Sequence, residues 1–229
     1  MRTLRVTVPL LVVALWSNLL SGTGEAQVDD PAVQAREVVA GILGRIEAVA
    51  GNVGDGPAEK RALIEREIDS HLDYGRLARA ALGPLAARFS QDQIADFARE
   101  YSRYLGYMLL QQAATNKPER SEIVGSSYDE KTGRAVVRTT GPLGLLDYPS
   151  VSIGRTGVRA RLQRDFTLSR VYGQWRIIGL QFNGIDVSKN FRAQFQAVLD
   201  RSDPGDLITE LRIRNDANDQ KNPFDRTAR

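Results

Sequence analysis

The sequence predicts an α+β domain: N-terminal helices, a twisted antiparallel sheet of about four strands, and C-terminal helices. Three observations carry that fold class. Apolar residues recur at roughly helical spacing from Pro31 almost to residue 115. Past Asn116-Lys117-Pro118 the period changes to two. Short connections join the alternating runs, which favours antiparallel neighbours.

The elements follow in order. Arg2 and Arg5 precede the apolar run "VTVPLLVVALWSNLL", and "SGTGEA" follows with small residues at Gly24 and Ala26. That run is short for a spanning helix, so residues 1–26 read as a signal peptide cleaved after Ala26 and the chain is expected to be exported. Asp30 caps a first helix with Pro31 at its first position, and Val33, Val38, Val39, Ile42, Ile46 and Val49 mark its apolar face as far as Gly51. Pro57 opens a second helix carrying Leu63, Ile64, Ile68 and Leu72. A short third helix around Leu77–Leu82 stops at Gly83-Pro84. Ser90 and Gln93 form a capping box for a long fourth helix with a one-sided stripe of Ile94, Phe97, Tyr101, Leu105, Met108 and Leu109.

"SEIVGSSYD" and "GRAVVRTTG" then read as a hairpin turning near Lys131-Thr132-Gly133. "ARLQRDFTLSRVY" alternates, with Leu162, Phe166 and Leu168 on one side and Asp165, Thr167 and Ser169 on the other. Gly173 turns it into "QWRIIGLQF", which breaks at Asn183-Gly184. Helices are expected at about 187–201 and 204–214, so the domain covers 27–214 and residues 215–229 form a disordered polar tail.

Several function classes are disfavoured. The formal net charge is +3 and unclustered, which gives no basic face for nucleic acid. There is no Cys, so neither disulfides nor a lipid-modified cysteine are available. His71 is the only histidine, and no G-x-S-x-G elbow, P-loop, dinucleotide fingerprint or metal-ligand spacing is present. Weight moves from an enzyme toward a binding protein without cofactor or metal.

The segment from Trp175 to Leu211 carries a resemblance. Trp175, Asn183-Gly184-Ile185, Asn190-Phe191-Arg192 with Phe195, and Asp206-Leu207-Ile208 with Leu211 stand in the order of motifs of the MlaC family of periplasmic lipid carriers, also called the toluene-tolerance family. Upstream, Asp73-Tyr74, Leu77-Ala78, Ala81-Leu82-Gly83 and "SQDQIADF" resemble the same family, so the likeness spans about 70–211. Two departures concern ligand and partner more than fold. Leu85-Ala86 stand where the family has a Trp, and Asp186 stands where it prefers Ser.

The resemblance implies a non-enzymatic, monomeric carrier in the periplasm. It would shuttle phospholipid between an outer-membrane lipoprotein complex and an inner-membrane ABC transporter complex, maintaining outer-membrane lipid asymmetry. Its cavity would be walled by Phe97, Tyr101, Leu105 and Met108 of the long helix, Phe166 and Leu168 of one strand, and Trp175, Ile177, Leu180 and Phe182 of the next. Ile185, Phe191 and Phe195 past the corner complete the wall. Leu143, Leu145, Leu146 and Tyr148, apolar residues in the Gly/Pro-rich connection "GPLGLLDYPS", are expected at the cavity rim. Three other readings stand beside it: a hopanoid-type carrier of the same family, an enzyme on a cone-like α+β fold using a buried acid such as Asp165 near the cavity, and a structural adaptor with a filled core.

Overall fold

The computed structural model describes residues 30–115, 120–142 and 161–225. Its elements are α1 (Pro31–Gly51), α2 (Pro57–His71), α3 (Tyr74–Leu82), a 3₁₀ stretch (Gly83–Arg88), α4 (Gln91–Thr115), β1 (Glu122–Asp129), β2 (Arg134–Pro142), β3 (Arg161–Val171), β4 (Gln174–Phe182), β5 (Ile185–Asp186), α5 (Val187–Leu199) and α6 (Pro204–Asp219). The fold is α+β, and residues 1–26, expected to be a signal peptide, lie outside the described ones.

Local chemistry sets most helix ends. Asp30 accepts from the Ala32 amide at the start of α1, and Pro31 occupies a position whose N–H would have no partner. The Ser90–Gln93 box forms as expected: each side chain takes the other's backbone N–H, at 3.2 and 2.9 Å. Asp73 caps α3, which begins at Tyr74, a turn before the expected start. Asp203 and Asp206 build a second capping box on α6.

The sheet is an antiparallel meander in the order β1-β2-β3-β4-β5. The fifth strand is the two-residue piece just past Asn183-Gly184, pairing Ile185 with Phe182 and Asp186 with Gln181. Asn183 and Gly184 have φ of 48° and 78°, the left-handed pair that a tight hairpin corner needs. Asp186 then caps α5 by accepting from the Lys189 amide at 2.9 Å. An Asp at this corner therefore does the capping that a Ser would do. The free edge of β4 is covered by the α2–α3 connection, where Leu72 bridges Ile177 and the Asp73 amide donates to its carbonyl.

α1 lies across β1 and β2, α5 packs on β4 and α3, and α4 sits among α2, α3 and α6. Two sequence motifs meet where α3 ends. Gly83 has φ 50°, and a Cβ there would fall 2.4 Å from Cζ of Arg192, whose guanidinium donates to the Ala80 carbonyl. Arg88 likewise donates to the Leu199 carbonyl at the end of α5, 2.8 Å away. Each arginine supplies a donor to a helix C-terminus that has carbonyls to spare.

The end of the chain departs from expectation. α6 runs to Asp219 rather than 214, because Asn215 is buried and donates to the Glu100 carbonyl and carboxylate on α4. Farther on, Phe224 packs against the core, so the segment from 215 to 225 is attached rather than a free tail.

Candidate functional site

The cross-strand register decides which strand residues face the helices. Phe166 stands between Val137 and Leu180, and Leu168 between Ala135 and Ile177. Their flanking neighbours are buried, so these rows form the inner face. Two residues along β3 from Leu168 lies Arg170, opposite Trp175, and two from Phe166 lies Arg164, opposite Phe182 and Thr139. The inner face is therefore apolar at its centre, with Leu168, Ile177 and Leu180 buried and Phe166, Trp175 and Phe182 half-buried.

Both ends of that face carry polar seats. At one end Trp175 Nε1 donates to Gln34 Oε1 of α1 at 3.2 Å, Arg170 donates to the same oxygen, and its guanidinium stacks 5.3 Å over the indole. Tyr128 meets the Trp175 ring edge-on. At the other end Arg164 is only 4% exposed. Its guanidinium lies over Gly141, where a Cβ would sit 2.9 Å from Nη1, and it donates to Ser121 Oγ at 3.2 Å. Glu47 of α1 accepts from the Ser121 amide. Burial pulls the Arg164 pKa below its ordinary value, and the nearby Glu47 carboxylate acts in the opposite sense. Sequence reading passed over Arg164, although its parity with Leu162, Phe166 and Leu168 already pointed it inward.

The other residues expected in the cavity wall divide into two groups. Phe97, Tyr101, Phe191 and Phe195 pack on one another between α4 and α5. Phe191 and Phe195 stack at 5.7 Å, and both meet Tyr101 edge-on at 5.4 and 6.0 Å. Phe97 stacks on Tyr101 and meets Phe195 edge-on. All four are buried to within 4%. Leu105 is buried in the same core and Met108 packs at its margin, while Ile185 is exposed at the corner. Leu143, Leu145, Leu146 and Tyr148, the expected rim, lie outside the described residues.

Two clefts open on the surface. One of about 370 Å³ runs along α1 over Trp175, with Gln34, Glu37, Arg45 and His71 around it. The other, of about 510 Å³, lies between α3 and the β3–β4 hairpin, lined by Asp73, Arg76, Arg79, Tyr172 and Arg176 among others. Both have the size of a small-ligand pocket, and both carry charged side chains on their walls.

Asp165 is placed differently from the expectation of an acid near the cavity. Its register partners are Arg138 and Gln181 on the opposite side of the sheet, and it pairs with Arg138 at 3.4 Å. His71 is bonded locally, to the Glu67 carbonyl and Ser70. Among the described residues no group of His, Cys, Asp and Glu is arranged to hold a metal, and no helix is long and apolar enough to cross a membrane.

An open antiparallel meander whose apolar inner face is covered by a layer of helices defines an α+β protein of the helix-on-sheet class. The family model described as MlaC protein matches residues 36–213, and the chain belongs to that family. Among solved structures it is similar to the phospholipid-binding protein from Ralstonia solanacearum, determined in complex with a phospholipid: 16% sequence identity, a TM-score of 0.63, and coverage of 81% of this chain and 99% of that one. A search of curated proteins finds no match.

Proposed function

We propose that this protein is an exported, periplasmic carrier that encloses the acyl chains of a phospholipid against the inner face of its sheet and moves it between the outer membrane and an inner-membrane ABC transporter. The observation that carries the reading is that Phe166, Trp175 and Phe182 stay half-buried on a sheet face whose other residues, Leu168, Ile177 and Leu180, are buried. The Ralstonia relative of the same fold holds a phospholipid.

The energetics define what such a site must do. Each methylene left in water costs about 0.8 kcal/mol, so two acyl chains with ~30 methylenes would cost on the order of 20 kcal/mol uncovered. The tails must be taken between the sheet and the helices rather than laid in either charged cleft. Entering hydrocarbon displaces the fewest packed side chains at the half-buried pair Phe166 and Phe182. Arg164 stands opposite Phe182 on the same face, and its guanidinium suits a phosphate oxygen pair.

The test uses Phe166→Ser with Phe182→Ser. Loss of two aromatic contacts should lower the phospholipid retained by the purified protein at least about tenfold, while circular dichroism still reports the fold. An unchanged lipid content in the folded double variant would contradict the site.

A further inference from the structure

The sheet turns two corners with the same backbone and different chemistry. The β4–β5 corner uses Asn183-Gly184 and the β3–β4 corner uses Tyr172-Gly173, with φ of 50° and 80°. Both central residues of each corner are left-handed, as a type I′ turn requires. Asn tolerates that conformation; a bulky aromatic does so at a cost in stability. Tyr172 gains nothing from the core in return, because its side chain is wholly exposed.

Cations surround this exposed ring. Arg76 and Arg79 from α3 and Arg176 from β4 line one cleft with Tyr172. Arg170 is exposed on the other side of the hairpin, beyond Trp175. The carboxylate lining the cleft, Asp73, is engaged as the α3 cap and by Arg76 at 3.3 Å. The neighbouring β1–β2 turn is balanced, Lys131 and Arg134 against Asp129 and Glu130, so the excess charge at this end comes from Arg79, Arg170 and Arg176. The end of the sheet is thus positive around a single projecting aromatic ring.

We propose that this end docks on an anionic lipid bilayer, with the Tyr172 ring at headgroup depth and Arg79 and Arg176 on lipid phosphates. Aromatic rings with a polar tip favour the membrane–water interface, and guanidinium groups grip phosphate in a fork. One ring among cations, without an apolar centre around it, fits a charged bilayer better than the hydrophobic middle of a stable protein interface. The inference rests on the carrier reading for its purpose, since it names the surface from which lipid is exchanged, but the two can fail separately.

The experiment is flotation of the processed protein, without its apolar leader, with vesicles of phosphatidylcholine alone or with phosphatidylglycerol added. Binding to the anionic vesicles alone, lost on adding salt, is expected. Arg79→Gln with Arg176→Gln should weaken it about 25-fold, at roughly fivefold per arginine. Tyr172→Asn should weaken it severalfold while keeping the fold, because it installs the residue that the other corner already uses. Equal binding to both vesicle types, binding to neither, or unchanged binding in both variants would each overturn the proposal; binding to neither directs attention to a protein partner. Lipid content of the same preparations separates the two readings. A protein that holds lipid but ignores vesicles leaves the carrier standing without the docking face. One that binds anionic vesicles but holds no lipid leaves the docking face without the carrier.

Discussion

The aromatic seam between α4 and α5 and the inner face of the sheet both looked like cavity wall in the sequence, and they are built differently. In the seam, Phe97, Tyr101, Phe191 and Phe195 are nearly inaccessible and satisfy one another with stacked and edge-on rings. On the sheet, Phe166, Trp175 and Phe182 are apolar to a similar degree but half-buried, and they share the face with the buried Arg164. The seam fixes where α5 lies across the end of the sheet, and the proposed carrier would take lipid on the looser surface thereby framed. Aromatic content does not distinguish the two surfaces; their burial does.

The largest expected effect would break this comparison outright if it failed. Phe195→Ala should cost about 3–5 kcal/mol in urea unfolding, with the lipid bound per folded molecule little changed. Phe166→Ala should cost only about 1–2 kcal/mol yet lower the bound lipid. A reversal of those two stability costs would mean that the half-buried row is the structural one.

The next test concerns the joint that holds the seam in place. Gly83→Ala puts a Cβ into the Arg192 guanidinium at a left-handed backbone position, and a loss of about 2 kcal/mol is expected in thermal or urea unfolding. A neutral outcome would show that α3 and α5 are not locked through this contact.

A smaller effect separates the far side of α4 from both regions. Burial alone would raise the Glu100 carboxyl, but hydrogen bonds from Asn215 and Arg103, with the Arg103 charge and Arg212, hold it below 4.5. A depressed folded-state value means that the stabilisation is complete above the unfolded-state value and is lost as pH falls through the folded one. Glu100→Gln should therefore flatten the acid limb of stability below about pH 4.5 and cost about 1.5 kcal/mol at neutral pH, without altering lipid retention. The smallest effect is at the hairpin tip, where Tyr172→Asn should raise stability by about 0.5 kcal/mol. A loss there would show that the exposed ring has a structural contact.

Much of the architecture was legible because short-range chemistry decides it. The Asp30-Pro31 start of α1, the Ser90–Gln93 box of α4 and the Asn183-Gly184 corner each depend on residues a few positions apart. The change of period after Pro118 marked the sheet correctly, but β5 is two residues long and too short for alternation to register. What stayed hidden depends on distant partners. Asn215 reads as tail until it is set against Glu100, and Gly83 reads as a helix stop until Arg192 is laid over it. The division between seam and sheet face is hidden for the same reason, since both are made of apolar residues at regular spacing. Arg164 was the exception that could have been found, as a charge at an inward-facing position of an alternating strand.

Whether the sheet face holds lipid is read by native mass spectrometry of the chain from Gln27 onward, purified without added lipid. The expected species is heavier than the bare chain by one two-chain, phosphate-containing lipid, and its occupancy falls in the Phe166→Ser with Phe182→Ser variant. A bare chain alone, still bare after incubation with phospholipid vesicles, would contradict the proposed carrier.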